Sequence, residues 1–296
     1  MSATHEAMDW DGSTHVIMLG TGTPRPDPSR SGPATAIVVN GTPYLVDFGP
    51  GIVRQAAAAY QRGVKAFGPG VVNIVTAFLT HLHSDHTTGY PDLIFTPWVM
   101  GRKLPLEVYG PRGIKAMTDH ILKAWQIDID ARVNGLNGHN STGCKVQAHE
   151  ITPGVVYRDR HLTVTAFPVR HEEMVDSFGY RFDTPDRTIV ISGDTAPTQA
   201  IIDNSRGCDV LIHEAYSMQT YRKVSPRSQE FRRTHHTSSV ELAEIANAVK
   251  PDLLVLYHRS NAGGSLSVPD SEEELIAEIR QTYKGKVVAG HDLDIY

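Results

Sequence analysis

The sequence has few cysteines, no long hydrophobic run and no block of like charge. Its 296 residues include only Cys144 and Cys208, too few for a disulfide framework or a multi-thiolate zinc site. No stretch of 18 apolar residues occurs, and the opening segment MSATHEAMDWDG is acidic, so neither a membrane span nor a signal peptide is predicted. We therefore expect a cytoplasmic protein with no membrane partner. If a leader has been removed, we expect a periplasmic or secreted protein.

Composition predicts a folded chain without an obvious electrostatic partner. Hydrophobic residues make up 40% of the sequence, enough to form a core and to exclude a disordered protein. The 28 basic and 33 acidic residues give a formal net charge of -5, and neither sign is concentrated in a tail. Because no linker or repeat interrupts the sequence, we predict a single domain over 1–296, with a loop-rich insertion around 118–150.

Hydrophobic patterns predict an α/β fold. Four strands are expected in the first 80 residues, at 15–20, 34–39, 44–48 and 71–80, with one helix at 51–62. In the last third, helices at 197–204, 238–249 and 271–283 alternate with short apolar strands. Consecutive strands followed by alternating helices and strands favour a two-sheet sandwich covered by helices over a pure doubly wound sheet.

Histidine is unusually frequent, with 15 in the chain, and four potential metal ligands follow one apolar strand. They are His81, His83, Asp85 and His86, in the segment THLHSDH. Zinc and similar ions bind imidazole nitrogen and carboxylate oxygen, and a catalytic site leaves one coordination position open for water. The spacing therefore predicts a metal site in the loop after this strand.

The same residues carry a family resemblance. HLHSDH resembles the HxHxDH signature of the metallo-β-lactamase superfamily, and FLTHLHSDHTTGYPDL resembles its ribonuclease Z and arylsulfatase-like branch. Further segments resemble that branch in order along 15–258: LGTGTP, YLVDFGPG, FPVRHEEMVDSFGYRF, ISGDT, DVLIHEAY, THHTSSVELAEIA and LLVLYH. The resemblance implies a four-layered αββα sandwich, a metallo-β-lactamase fold with two divalent metal ions at the edge of its inner sheets.

The resemblance also implies a ligand set. The first ion would be held by His81, His83 and His171 and the second by Asp85, His86 and His258, with Asp194 bridging the two. Zinc is the first expectation for both ions, with manganese and iron as alternatives that suit the same ligands.

Three residues are expected to act in catalysis. The resemblance implies that a hydroxide shared by the ions attacks the substrate, with Asp85 as its orienter or general base. It also implies that His236, paired with Glu214, protonates the leaving group. The doublet His235-His236 leaves the register ambiguous, and His236 is preferred because a Thr and a Ser follow it as in the family pattern.

The substrate prediction depends on an arm that the sequence lacks. Ribonuclease Z grips tRNA with a protruding basic arm, and neither the stretch after His86 nor the one after FPV resembles it. This absence and the negative net charge argue against nucleic acid and favour a small anionic ester, an aryl sulfate or a phosphodiester. The segment YHRSNAGG, at 257–264, slightly favours the arylsulfatase-like members of the branch. Related enzymes are commonly dimers, so a homodimer is expected.

Three other functions remain open. The first is a tRNA 3′ processing endonuclease, which would use the same metal ions on a nucleic-acid substrate. The second is hydrolysis of a β-lactam or lactone, which needs no proton donor at His236. The third is a non-catalytic, metal-stabilised binding protein, against which the intact ligand set argues.

Overall fold

The chain forms two compact units in the computed structural model, which describes residues 12–136, 138–174, 176–259 and 271–296. The first unit contains residues up to 20, 26–151 and 292–296, and the second contains 21–25 and 152–291. None of the described helices is long and apolar enough to cross a membrane. The end of the YHRSNAGG segment, from residue 260 onward, lies outside the described residues.

The first unit is built on a six-stranded sheet whose spatial order follows the sequence. Its strands are β1 (His15–Gly20), β2 (Ala34–Val39), β3 (Thr42–Val46), β4 (Thr76–Phe78), β5 (Leu106–Gly110) and β6 (Val146–Glu150). The pairs β1–β2 and β2–β3 are antiparallel, and the remaining pairs are parallel. Every residue of β2 is buried, as expected for an apolar run rich in β-branched residues.

In the described part of this unit, the sheet is accompanied by the α-helices α1 (Ile52–Gln61), α2 (Ser84–Thr87), α3 (Tyr90–Val99), α4 (Ile114–Ala124) and α5 (Gln126–Asn134). Side chains from α1, α3 and the sheet share one hydrophobic core, which includes Phe48, Ile52 and Trp98. The predicted strand at 71–80 is shorter than expected, because a 3₁₀ turn at Pro69–Val71 occupies its beginning and only β4 remains.

Residues 292–296 close the outer edge of this sheet. The backbone of Val16 exchanges two hydrogen bonds with that of Tyr296, each of 2.9 Å. The side chain of Asp292 accepts hydrogen bonds from the backbone N–H of Ser31 at 2.6 Å and from Nε2 of Gln55 at 2.9 Å. Residues 292–296 therefore belong to the first unit and bond to β1.

The segment predicted to be loop-rich, around 118–150, is mostly regular structure. It contains the end of α4, all of α5 and strand β6. Helix α5 is supported by two side-chain pairs at a spacing of four residues, Asp128 with Arg132 at 2.9 Å and Gln126 with Asp130 at 2.8 Å. Apolar residues alternate with polar ones in its sequence, QIDIDARVN, and this period of two does not indicate a helix, which explains why α5 was not predicted.

The second unit is built on a seven-stranded sheet, again in sequence order. Its strands are β7 (Gly154–Arg158), β8 (Thr163–Pro168), β9 (Phe178–Asp183), β10 (Thr188–Ile191), β11 (Val210–Ala215), β12 (Leu253–Arg259) and β13 (Val287–Ala289). Strands β7–β10 are antiparallel, and β10–β13 are parallel. Its helices are α6 (Gln199–Ser205), α7 (Met218–Tyr221), α8 (Pro226–His235), α9 (Ser239–Val249) and α10 (Glu272–Arg280).

Candidate metal-dependent active site

The predicted histidine cluster of the first unit follows β4. The chain leaves the sheet at Phe78 and begins the short helix α2 at Ser84, so the cluster occupies the turn between a strand end and a helix start. His81 and His86 are fully buried, Asp85 is 7% exposed and His83 is half-buried. Four titratable groups are thus held close together in a largely solvent-excluded loop.

Asp47, which was not predicted as a site residue, organises this loop. It directly follows β3, is 1% exposed, and its carboxylate accepts hydrogen bonds from the backbone N–H of Thr80 at 2.8 Å and from Oγ1 of Thr80 at 3.0 Å. Its Oδ2 also lies 2.8 Å from Nδ1 of His86. The carboxylate therefore fixes both the start of the loop and the orientation of one imidazole.

Gly49, in the segment DFGPG, allows the chain after β3 to pass close to the histidine cluster. A Cβ atom at Gly49 would lie 2.6 Å from the carbonyl oxygen of Asp85 and 2.4 Å from the carbonyl carbon of Gly32. Only glycine fits such a close backbone approach without displacing the loop that carries the histidine cluster.

The imidazoles of the cluster are oriented towards one another. Nε2 of His81 lies 2.9 Å from Nδ1 of His83, and the rings of His81 and His86 are 4.2 Å apart between centroids. Oγ1 of Thr80 lies 3.0 Å from the other ring nitrogen of His81. The facing ring nitrogens of His81 and His83 are thus close enough to contribute to one metal site.

In the second unit, the predicted ligands His171, Asp194 and His258 lie just after β8, just after β10 and near the end of β12. All three are buried. Nδ1 of His258 lies 3.3 Å from Oδ1 of Asp194, and Nδ1 of His171 lies 2.9 Å from the backbone oxygen of His235. One potential ligand atom each from His171, Asp194 and His236 lies within 4.8 Å of the others.

His258 sits in a β-bulge. Tyr257 pairs with Glu214 and Arg259 pairs with Ala215, so His258 is an extra residue in the β11–β12 ladder. Its φ of 40° is in the left-handed region that non-glycine residues rarely adopt. Bulges redirect side chains next to active sites, and here the strain accompanies a buried imidazole beside Asp194.

The two histidines of the doublet, His235 and His236, contact different residues. Nδ1 of His236 lies 3.0 Å from Oε1 of Glu214, at the end of β11. Nε2 of His235 instead lies 2.6 Å from Oε2 of Glu173, an exposed residue of the loop after β8. The structure therefore brings together the predicted pair His236 and Glu214, and gives His235 a different partner.

Burial shifts the pKa of two neighbouring residues on β11. Glu214 is fully buried, which raises the pKa of its carboxyl, while the adjacent His236 acts to lower it. Burial also lowers the pKa of His213 to about 4, so this imidazole is neutral near pH 7. Its Nδ1 lies 2.7 Å from the backbone oxygen of Glu214, a contact that supports the strand end.

The donor set fits a divalent metal ion. In three of the predicted ligands, Nδ1 lies within 3.0 Å of a protein oxygen: Thr80 Oγ1 for His81, Asp47 Oδ2 for His86 and the His235 carbonyl for His171. Such contacts fix the tautomer and leave Nε2 as the ligand atom, the arrangement typical of metal-binding histidines. Buried imidazoles with carboxylates and no thiolate suit zinc, manganese or iron.

Comparisons with known proteins agree with this chemistry. The family model described as the beta-lactamase superfamily domain matches residues 42–259. Ribonuclease Z of Mycobacterium bovis (strain BCG / Pasteur 1173P2) is 30% identical over 281 residues, which cover 94% of this chain and 96% of the relative.

Solved structures share the fold. The metallo-beta-lactamase fold protein YhfI from Bacillus subtilis is similar with a TM-score of 0.70 and 17% identity, over 96% of this chain and 98% of that one. Human tRNase Z, short form, is similar with a TM-score of 0.65 and 22% identity, over 95% of this chain and 98% of that one. These likenesses confirm the predicted fold class, the α/β sandwich of the metallo-β-lactamase fold.

The predicted substrate class is wrong. We expected a small anionic ester and argued against nucleic acid, whereas the relative matched over nearly the whole chain is named a ribonuclease. A net charge of -5 describes the sum over all residues, but phosphate binding depends on where individual Lys and Arg side chains lie. The absence of one recognisable arm likewise says nothing about other basic surfaces.

Family model, relatives and fold point to the same assignment. The match over 42–259 covers both the histidine cluster after β4 and the pair His236 and Glu214. The chain belongs to the metallo-β-lactamase superfamily, among its ribonuclease Z-like hydrolases.

Proposed function

We propose that the protein is a metal-dependent endoribonuclease that removes the 3′ trailer from tRNA precursors by hydrolysing one phosphodiester bond. The observation that carries this proposal is the 30% identity to a protein named Ribonuclease Z over 94% of the chain. The buried pair of His236 and Glu214 supports it, because a poor alkoxide leaving group needs a proton donor. Aryl sulfate hydrolysis has no comparable support.

The proposal includes two divalent ions, zinc first. His81, His83 and His171 would hold one ion, Asp85, His86 and His258 the other, and Asp194 would bridge them. Two bound ions lower the pKa of water and neutralise charge on the phosphate oxygens. The buried Asp47 would set the ring orientation of His86 in this arrangement.

The chain's own groups supply the proton transfers. Asp85 orients the attacking water and accepts a proton from it. As the water oxygen bonds to phosphorus, the bond from phosphorus to the leaving oxygen breaks, and His236 donates a proton to that oxygen. Nδ1–H of His236 donates a hydrogen bond to the carboxylate of Glu214, which leaves Nε2 as the atom that protonates the leaving oxygen.

The direct test is cleavage of a precursor tRNA with a 3′ trailer by the zinc- and manganese-loaded protein. The expected result is one cut at the trailer junction, with no cut in mature tRNA and no activity in Asp85→Asn. Bis-p-nitrophenyl phosphate reports on diester hydrolysis independently of RNA. Hydrolysis of that small diester by a protein that leaves the precursor intact would refute the endoribonuclease assignment.

A further inference from the structure

The segment just before His236 is rich in exposed cations. Residues 222–233, which we call the basic segment, read RKVSPRSQEFRR and contain five basic residues and one acidic residue. The segment runs from the end of α7 through α8. In a chain with net charge -5, this is a local concentration of the opposite sign.

Two of the five cations have a role within the fold. Arg233 pairs with Glu230 at 2.8 Å, and Arg232 is buried against the ring of Tyr216, at 5.4 Å from its centroid. Both lie in the last turn of α8, where a positive charge is favoured by the helix dipole. These two arginines need no ligand to explain them.

The other three cations are not explained in this way. Arg222, Lys223 and Arg227 are exposed, and none of their side chains forms an ion pair within the part of the chain that the structure describes. Arg227 lies in the first turn of α8, which contains no acidic residue. A cation at this end of a helix is disfavoured by the helix dipole. Stability of the folded chain therefore gives no reason for this arginine.

An aromatic side chain follows Arg227 by four residues, about one turn further along α8. Phe231 is 50% exposed, and its ring stacks on that of His235, with centroids 4.1 Å apart and planes at 22°. Its centroid is 5.7 Å from the ring of His236. Exposed aromatic rings next to cations are typical of surfaces that bind single-stranded nucleic acid, where the ring stacks on a base and the cations contact phosphates.

We propose that the basic segment binds the RNA strand next to the scissile bond, with Arg222, Lys223 and Arg227 on its phosphates and Phe231 stacked on an unpaired base. This inference rests on the proposed function. Along the axis of α8, Arg227 and His236 are roughly 14 Å apart. This length spans about four phosphates of a stacked RNA strand. The basic segment would thus bind RNA phosphates near His236. This is the role expected of a basic arm, which the sequence lacks.

The test compares two triple variants that remove the same charge. The basic-segment variant is Arg222→Gln/Lys223→Gln/Arg227→Gln, and its control is Lys103→Gln/Lys115→Gln/Lys123→Gln, three exposed lysines of the first unit. For the first variant we expect the Kd for precursor tRNA to rise at least about tenfold near 0.1 M salt. The slope of log Kd against log salt should fall by about two, since each single-strand phosphate that a cation neutralises adds ~0.7 to it. The control should retain the wild-type slope.

A third variant tests the stacking. Phe231→Leu keeps an apolar side chain but removes the aromatic face, so the Kd should rise about tenfold with an unchanged salt slope. Turnover of bis-p-nitrophenyl phosphate in each variant reports whether the active centre is intact.

The outcomes separate this inference from the proposed function. If wild-type protein cleaves the precursor and both triple variants bind it equally well, the basic segment is not the RNA surface, and an acidic protein partner becomes its alternative ligand. If the wild type hydrolyses the small diester but neither binds nor cleaves the precursor, the proposed function fails first.

Discussion

His235 and His236 are neighbours in the sequence but make different contacts. His236 faces the buried carboxylate of Glu214, whereas His235 pairs with the exposed Glu173. This difference leads to a prediction about leaving groups. His236→Ala should slow cleavage of precursor tRNA by about 10²-fold or more, since a general acid contributes about 10²–10⁴-fold. Bis-p-nitrophenyl phosphate, whose leaving group needs no proton, should be slowed much less.

The measurement is the ratio of kcat/KM for the two substrates. His235→Gln is the matched control and should keep the wild-type ratio, because its side chain does not contact Glu214. Equal slowing of both substrates by His236→Ala would contradict the assigned proton donor.

Asp47 supports a second prediction at this scale. Because its carboxylate holds Nδ1 of His86 and the backbone of Thr80, Asp47→Asn should weaken metal affinity about 10–100-fold. The exposed Asp119→Asn serves as the control. The measurement is retention of zinc during titration with a chelator, which requires no activity assay. Wild-type retention of zinc in Asp47→Asn would contradict this role.

Sequence patterns predicted some of these residues better than others. The spacing HLHSDH identified four groups that the structure places in one loop, three of them buried and His83 half-buried. Asp47 was missed because a single Asp after a strand is a common pattern with many uses. Its importance comes from Thr80 and His86, 33 and 39 residues later in the chain.

Among the elements, α9 begins directly after the segment that contains His236. Ser238 and Glu241 form a capping box, in which the Ser side chain accepts from the backbone N–H of Glu241 and the Glu side chain accepts from that of Ser238. Ser238→Ala should lower the free energy of unfolding by about 1 kcal/mol. Because Ser238 lies two residues after His236, cleavage of precursor tRNA should also slow.

A second N-cap provides the control. Ser271 caps α10 by accepting from the backbone N–H of Glu274, in a helix that carries none of the predicted site residues. Ser271→Ala should cause a similar loss of stability, measured by urea unfolding, with unchanged cleavage. Equal activity of the two variants would show that the α9 cap does not position His236.

Most strands were predicted close to their observed bounds, because buried β-branched runs leave a clear pattern. Helices α5 and α8 were not predicted. The sequence of α8, PRSQEFRRTH, contains Phe231 as its one large apolar residue, so it has no apolar stripe. Local capping by Ser225 and packing around Arg232 and His235 support the helix instead, and such contacts are invisible to periodicity.

For the whole molecule, ion binding should contribute to thermal stability. A ligand present at a hundredfold excess over its Kd, and bound only by the folded state, stabilises that state by about 2.7 kcal/mol. Chelation should therefore lower the Tm by about 5 °C for a chain of this size, and added zinc should restore it. Differential scanning calorimetry checks this, with Asp47→Asn expected to show a smaller shift. Identical Tm values with and without metal would contradict the proposed site.

Properties summed over the whole chain, such as the net charge, predicted the function least well. The net charge of -5 led to the wrong substrate class, while five cations are concentrated within twelve residues before His236. A sum over the sequence contains no information about such placement, and only the structure shows which of these cations are exposed or paired.

The closure of the first sheet by residues 292–296 affects the order in which the protein can be made. A ribosome synthesises these residues after the entire second unit, which spans 152–291 in its main part. Until then, Val16 and Met18 lack the backbone partners that Asp294 and Tyr296 provide. The nascent first unit therefore carries an open strand edge throughout most of translation, a template for mispairing that chaperones would need to shield. Synthesis of the first unit therefore begins before that of the second unit and ends after it.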